Sequence, residues 1–501
     1  MVSTLQPAPV KPLSRLPAWF SYASVGIAVA TIFSVVHVLR AAPAFPYDDP
    51  YITLHSAQVM HTGYDANYPG VPALFGVTSA PFLGVVYLLL FLLPPLQALD
   101  AACWVGLLLY ALGLVYLGEV LELLPRQRWL LVFIGVAAAP VPIHWINGLE
   151  TSWALAMVTW TLSLATTENR RISAAFLAGV SACFRPDLLP FALLIAAMLA
   201  WQTLRQFPEQ RRSWFLALGV AAAAAAPILF CCFLYFHQTG SPIPLTGVAK
   251  RYFLAEDHWP LMRRIEAEGI QILFFAVSVG PAILVIPRMA RFPLGKILLY
   301  VMLLFVAALF VQFPAEFAVN EFRYPVVLIP ALVWGLGMVL RNSEPQGRRS
   351  AEQRMIASAL YAAAMLPLCF HFYKGERVAF EAGPGQVTSW CEKNLPAGTP
   401  VLVNDAGYLA WSSRFRTVDF VGLKTPEAIP LNRRYTWVTG GRERVIAVSR
   451  LAVEAHSSLM ILNSRWPPVK FLAEDFRSLG WKVELLDAPG TFRIYRITPP
   501  T

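Results

Sequence analysis

Apolar runs long enough to cross a lipid bilayer succeed one another from Trp19 to Phe372, and that succession rules out an ordinary soluble fold for most of this chain. Hydrocarbon offers no hydrogen-bond partner, so each run that enters it must satisfy its backbone internally as a helix. Of 501 residues, 57% are hydrophobic and 14% charged, with mean hydropathy +0.54, the composition of an integral membrane protein. The expected spans are 19–39, 101–124, 129–146, 152–167, 172–184, 188–203, 213–236, 270–287, 297–313, 325–340 and 355–372, about eleven crossings. The pair on either side of Arg185-Pro186-Asp187 is short, so its boundaries are the least sharply marked.

Basic residues orient the spans. Lys11 and Arg15 precede the first run, and Arg40, Phe45 and Pro46 after it make a poor cleavage site, so the first helix is expected to be retained with the N-terminus cytoplasmic. Treating 81–99 as a spanning helix would send Arg126 and Arg128 outside and invert every later loop. Treating it as a juxtamembrane or re-entrant segment, interrupted by Pro94 and Pro95, keeps Arg126, Arg128, Arg170, Arg171, Arg205, Arg211, Arg212, Arg288, Arg291, Arg341, Arg348, Arg349 and Arg354 inside. The formal charge of +10 is therefore explained by topology, and no basic stripe interleaved with aromatics points to nucleic acid. Of six cysteines, only Cys391 lies outside apolar sequence, which argues against a disulfide framework.

From Tyr373 the apolar runs shorten and charge rises. Residues 386–394 have helical spacing, 401–403, 417–420, 458–462, 482–486 and 492–497 read as strands, and 469–479 reads as a helix between two of them. The expected organisation is a helical membrane domain over 1–372, with a first outer loop at 40–100, followed by a small extracytoplasmic α/β domain over 373–501.

The stretch from Phe45 to Pro81 interrupts the apolar pattern with two adjacent carboxylates, Asp48 and Asp49, and then His, Tyr, Asn, Gly, Thr and Ser. A lone Asp there would cap a helix; a pair at the mouth of a membrane helix, with other polar stretches on the same side, fits a general base whose neighbour raises its pKa. Those stretches are Asn147–Thr151, Phe184–Asp187, His237–His258 and Gln312–Tyr324. They bring Glu150, Arg185, Lys250, Arg251 and Arg323 to the outer side. Cations there run against the charge rule, and a phosphate at the membrane surface would account for them, Lys250 and Arg323 above all. Local pairs, Arg185 with Asp187 and Arg323 with Glu321, are the simpler alternative, as is a helix N-terminus for Glu150. His55, His61, His237 and His258 have no metal-ligand spacing, and hydrogen bonding accounts for them more simply; His55 nevertheless joins the candidate substrate-binding residues from the first loop. Trp145, Trp153 and Tyr324 read as an interfacial belt, with stacking on a sugar ring as the alternative for one or two of them.

Asp48-Asp49-Pro50-Tyr51-Ile52-Thr53, Gly63, Asn67 and Gly76–Pro81 resemble the first outer loop of GT-C fold glycosyltransferases that use polyprenyl-phosphate sugars, particularly the bacterial branch containing mycobacterial arabinofuranosyltransferases. The resemblance continues through Asn147-Gly148-Leu149-Glu150-Thr151, Phe184–Asp187, Gly240–Lys250, Phe322-Arg323-Tyr324-Pro325, Asn404-Asp405-Ala406-Gly407 and Asp419–Leu423, in order over most of the chain. Pro50 and Leu149 stand where Ala and Met are expected, and the tail is compact, which weakens any transfer of substrate identity. The resemblance implies a multi-pass plasma-membrane enzyme with a first-loop Asp as base, Asp48 preferred and Asp49 second. It implies a polyprenyl-phosphate sugar donor among the membrane lipids, an envelope glycan, glycolipid or protein acceptor, and an inverting displacement with cations on the departing phosphate. Relatives divide over a divalent metal, and the sequence leaves that open. A transporter or flippase of a lipid-linked or envelope precursor is the main rival, although the chain lacks related halves and its acids cluster at one face. A receptor or scaffold would leave the convergence of acids and bases without a purpose.

Overall fold

A computed structural model describes residues 18–40, 44–206 and 211–500; Lys11 and Arg15 lie outside the described residues. Among these, eight helices are long and apolar enough to cross a membrane, including Phe20–Arg40, Pro95–Val120, Arg211–Thr239 and Pro293–Gln312. Three other expected spans are the helices Pro125–Ala137, Thr151–Ala165 and Arg171–Phe184, of 13, 15 and 14 residues. That is shorter than the roughly 20 residues a perpendicular crossing needs.

The segment expected to re-enter is a 10-residue helix, Ala80–Leu89, whose N-terminus is capped by Ser79 accepting from the Phe82 amide at 3.3 Å. The next span starts at Pro95 rather than 101, because a proline at the first helical position gives up only an amide that has no intrahelical partner. Packing between Pro95–Val120 and Thr151–Ala165 follows the small-residue logic of membrane bundles. Gly106 and Gly113 face Ser152 and Trp160, while the Trp153 and Trp160 indoles donate to the Ala102 and Leu109 carbonyls at 2.8 and 2.9 Å. Trp153 is partly buried, and Trp145 is 6% exposed. Arg40, buried at the end of the first span, is paired with buried Asp100 at 2.5 Å.

The last long helix, Pro345–Phe380, runs past residue 372 and delivers the chain into a five-stranded mixed sheet. The strands are β1 (Pro400–Val403), β2 (Arg416–Asp419), β3 (Leu459–Asn463), β4 (Lys482–Asp487) and β5 (Phe492–Thr498), in spatial order β2-β1-β3-β5-β4. β1 pairs in parallel with β2 and β3, whereas β5 runs antiparallel to β3 and β4. Central position explains composition: β1 reads Pro-Val-Leu-Val and β3 Leu-Met-Ile-Leu-Asn because helices cover both faces, while edge strand β4 alternates charge and apolar residues.

This domain is clamped onto the first loop. The Asn67 amide donates to the Ser413 and Phe415 carbonyls at 3.1 and 2.8 Å, and the Tyr68 hydroxyl to the Ala406 carbonyl at 2.9 Å. Tyr51 stacks on Phe380 at 5.8 Å and meets the Tyr408 ring edge-on at 4.8 Å. On the far side Asp257 accepts from Arg251 at 2.8 Å and from the Trp437 indole at 3.0 Å, joining the loop before Leu261 to the same domain.

Candidate active site

The helix Asp49–Thr62 begins at a Pro50 that presets its first turn, and Asp49 is left on the rim of a 460 Å³ cavity. Glu150 arrives from the N-cap position of Thr151–Ala165. The turn before it requires Gly148: its φ is +81°, and a Cβ there would lie 2.8 Å from both Phe45 and Pro50. That close contact sets the two acid-bearing segments side by side.

Arg323 binds them together. One terminal nitrogen bonds the Asp49 carboxylate, and the other reaches both Glu150 oxygens at 2.8 and 3.1 Å. Glu321, the local partner considered from sequence, is not the one it uses. Lys250, on the helix Thr246–Leu254, places its ammonium 3.9 Å from the same Asp49 oxygen. Burial raises the Asp49 pKa, but Lys250 and Arg323 outweigh it and hold the carboxyl below its ordinary value. Asp49 correspondingly raises the Lys250 pKa.

Backbone strain presents Arg323. Asn320, Glu321 and Phe322 lie consecutively at φ 48°, 56° and 60°, a left-handed run that costs non-glycine residues about 1–2 kcal/mol each. His144 secures the run by donating from Nε2 to the Glu321 carbonyl at 3.0 Å. Its Nδ1 then accepts from the Asn147 amide at 2.6 Å, which fixes a neutral ring, and the Asn147 oxygen accepts from the Leu149 amide at 3.0 Å. Arg185 adds a second brace, donating to the Arg323 carbonyl at 2.5 Å while its other nitrogens hold Asp187 at 3.1 and 2.7 Å and its guanidinium covers the Tyr324 ring at 5.3 Å.

Asp49, Glu150, Arg185, Lys250, Arg323 and Tyr324 therefore line one cavity. Two sequence candidates do not line it. Asp48 turns to the C-terminal domain, and burial pushes its carboxyl up to about 7 against the pull of the Tyr408 amide. His55 is buried with Asp65, Nε2 3.1 Å from each oxygen. Glu316 lines the cavity without having been singled out, although it lies in the Gln312–Tyr324 stretch; burial raises its pKa. His144 was missed because an apolar run conceals it. The remaining walls combine apolar side chains, among them Ile243, Pro244, Leu189, Phe305 and Leu309, with the hydroxyls and amide of Thr53, Thr78, Ser79, Thr246 and Gln312. Among the described residues no group of three or more His, Cys, Asp or Glu is arranged to hold a metal ion.

Residues 371–495 match the model of a domain of unknown function, DUF8728. No curated protein matches the chain. Among solved structures, ArnT from Cupriavidus metallidurans bound to undecaprenyl phosphate aligns with TM-score 0.54 and 13% identity over 95% of this chain and 98% of that one. The same protein in the apo state aligns with TM-score 0.56 and 13% identity over 94% and 98%. Arabinofuranosyltransferase AftD from Mycobacteria aligns with TM-score 0.48 and 12% identity over 96% of this chain and 42% of that one. The chain has the GT-C fold, a multi-pass helical membrane protein with a small α/β domain at its C-terminal end.

Proposed function

We propose that the protein is a membrane glycosyltransferase that moves one sugar from a polyprenyl-phosphate donor to a hydroxyl of an envelope glycan, glycolipid or protein. The observation that carries this reading is the composition of the cavity: Asp49, Arg323 and Lys250 meet in its wall, and apolar side chains including Phe305 and Leu309 line it as well. A carboxylate beside two cations suits a hydroxyl next to a phosphate, and apolar walls suit a lipid tail. The ArnT structure bound to undecaprenyl phosphate, sharing this fold, supports such a ligand.

Asp49 is the base in this reading, which reverses the order preferred from sequence because Asp49 borders the cavity and Asp48 does not. It accepts the proton of the acceptor hydroxyl as that oxygen attacks the anomeric carbon. The bond from that carbon to the phosphate oxygen breaks, and its electron pair leaves with the lipid phosphate. A single displacement of this kind inverts the anomeric centre. Lys250, a compact charge held by only a long contact to Asp49, is free to meet the developing phosphate charge. Arg323 aligns Asp49 and adds positive charge; Arg185 and His144 keep Arg323 in place. The N-terminus is cytoplasmic and the C-terminal domain extracytoplasmic in the plasma membrane, following the arginine distribution.

The test is transfer from a panel of radiolabelled polyprenyl-phosphate sugars to envelope extract by purified protein beside Asp49→Asn. Transfer from one donor, lost in the variant, is the expected result. Absence of both transfer and donor binding across the panel would overturn the reading in favour of a transporter or scaffold.

A further inference from the structure

The helix Leu261–Val279 begins a segment long and apolar enough to cross the membrane, and the C-terminal domain packs beside its first turn. The connection is short and rigid. Arg264, on that turn, donates to the Asp257 carbonyl and, at 2.9 Å, to the Trp259 carbonyl. The Asp257 carboxylate holds the Trp437 indole, whose ring meets His258 edge-on at 5.2 Å. The next turn of the domain, residues 438–442, lies against the same loop: a Cβ on Gly440 would be 3.3 Å from that of His258.

This turn has a fixed shape. Gly440 and Gly441 reverse the chain at φ 62° and 89°. The Gly441 amide donates to the Thr436 carbonyl at 2.7 Å, and the Thr439 hydroxyl donates to the Tyr435 carbonyl at 2.6 Å while accepting from the Glu443 amide at 3.1 Å. Val438 on the turn is 63% exposed, and the adjoining helix end presents Leu261 and Met262 at 62% and 73%. Arg433, Arg434 and Arg442 are exposed as well, and none of them forms an ion pair among the described residues. Arg433 and Arg434 lie over the Tyr252 and Tyr435 rings at 5.9 and 5.2 Å, and Arg442 donates to the Thr439 carbonyl at 3.0 Å. Acids are fewer here: Asp257 is paired with Arg251, which leaves Glu443 and Glu266 exposed.

We infer that the turn at 438–442, with Arg433 and Arg434, binds the headgroups of anionic phospholipids in the leaflet beside it and so holds the C-terminal domain to the membrane surface. The combination selects a lipid surface. Guanidinium forks match phosphate, tryptophan and tyrosine rings suit the headgroup level, and arginines beside an apolar tip gain from charge and from hydrocarbon together. A face that was merely solvated, or one that took a hydrated anionic glycan, would have no use for Val438, Leu261 and Met262 in the open. The inference is independent of sugar transfer.

The experiment attaches an environment-sensitive bimane to Val438→Cys in the full chain in detergent, with wild type treated alike as the blank for the native cysteines. Phosphatidylglycerol, phosphatidylcholine, glycerol 1-phosphate and polygalacturonate are titrated in. Phosphatidylglycerol is expected to shift the emission to the blue and to saturate. An arginine near an anionic surface contributes roughly a factor of five. The half-saturating concentration is therefore expected to rise at least tenfold when Arg433→Gln, Arg434→Gln and Arg442→Gln are added together. It is expected to stay constant with Arg477→Gln, Arg493→Gln and Arg496→Gln, which remove as much charge from the helix Leu472–Ser478 and from β5. Arg442→Gln alone, at an exposed position, carries the test if the first triple variant does not fold, with about a threefold rise expected. Equal responses to the two phospholipids, or a half-saturation indifferent to Arg433, Arg434 and Arg442, would overturn the inference. So would a response to glycerol 1-phosphate as strong as to the lipid, which marks a site for free phosphate, or a response to polygalacturonate alone, which marks a glycan surface.

Discussion

The carboxylate of Asp48 accepts the backbone amide of Gly407 at 2.8 Å, across 359 positions of sequence, while a Cβ on Gly407 would fall 2.1 Å from the Asp48 carbonyl oxygen. The Tyr408 amide reaches the other carboxylate oxygen at 2.7 Å. Asp48 is thus a tether between membrane and C-terminal domains, and its neighbour Asp49, one peptide bond away, faces the cavity.

The two acids should separate cleanly by substitution. Asp49→Asn is expected to lower transfer about 10²–10⁴-fold, the range for losing a general base, and also to lower the melting temperature, since Arg323 and Lys250 lose the charge they share. Asp48→Asn still offers one acceptor but sets its NH₂ against the second amide, so it is expected to destabilise by about 1–3 kcal/mol and to retain measurable turnover. Thermal melts beside initial rates distinguish the pair; the opposite assignment of effects would make Asp48 the base.

Arg323 joins two carboxylates through separate nitrogens, a geometry that lysine lacks. Arg323→Ala leaves Asp49 and Glu150 near one another without that bridge, and a cost of about 3–5 kcal/mol with loss of turnover is expected. Arg323→Lys is expected to fold and to transfer roughly 10–100-fold more slowly, having kept one of the two charge-assisted contacts. Unchanged rates and donor affinity in both variants, and in Lys250→Ala, would remove these cations from the phosphate site.

Several residues of the candidate cavity stood out in the sequence: Arg185, Lys250 and Arg323 because cations expected on the outer side run against the charge rule, and Glu150 because it follows a Gly-Leu pair at a loop-to-helix junction. Which partner each would choose did not. Arg323 and Glu150 are 173 positions apart, and Arg323 reaches past the nearby Glu321 because the left-handed run at Asn320–Phe322 points the chain elsewhere. No propensity anticipates three such residues in a row. The five strands could be read from their apolar runs, whereas the docking of Asp48 on Gly407 depends on tertiary contacts that no local pattern encodes.

His144 carries that strained run without touching the cavity. His144→Leu removes the donor to the Glu321 carbonyl and frees Asn320–Phe322 to relax toward ordinary backbone. Turnover is expected to fall about tenfold while KM for donor changes little, because Arg323 loses its alignment and not its charge. A His144→Gln variant, able to donate from its side-chain amide, is expected to recover part of the rate. Equal rates for Leu and wild type would mean that Arg185 alone positions Arg323.

Lys424 gives a pH signature. Burial lowers its pKa to about 8 from an ordinary 10.5, with Asp65 pulling weakly the other way. Between those values the unfolded chain keeps a proton that the folded protein has released, so the unfolded state binds more protons and stability rises with pH. The contribution is full above 10.5 and is lost as pH falls through about 8. Lys424→Met has no such group. Its melting temperature is expected to exceed that of wild type most at pH 7, and the gap to narrow steadily toward pH 10.5. The groups facing the ammonium, the Ser56 hydroxyl and the Tyr68 ring, are unchanged in the variant, and Asp65, whose carboxyl His55 and in part Lys424 hold below its ordinary value against burial, titrates below this pH range. Parallel melting curves from pH 7 to 10.5 would show that Lys424 is solvated or paired.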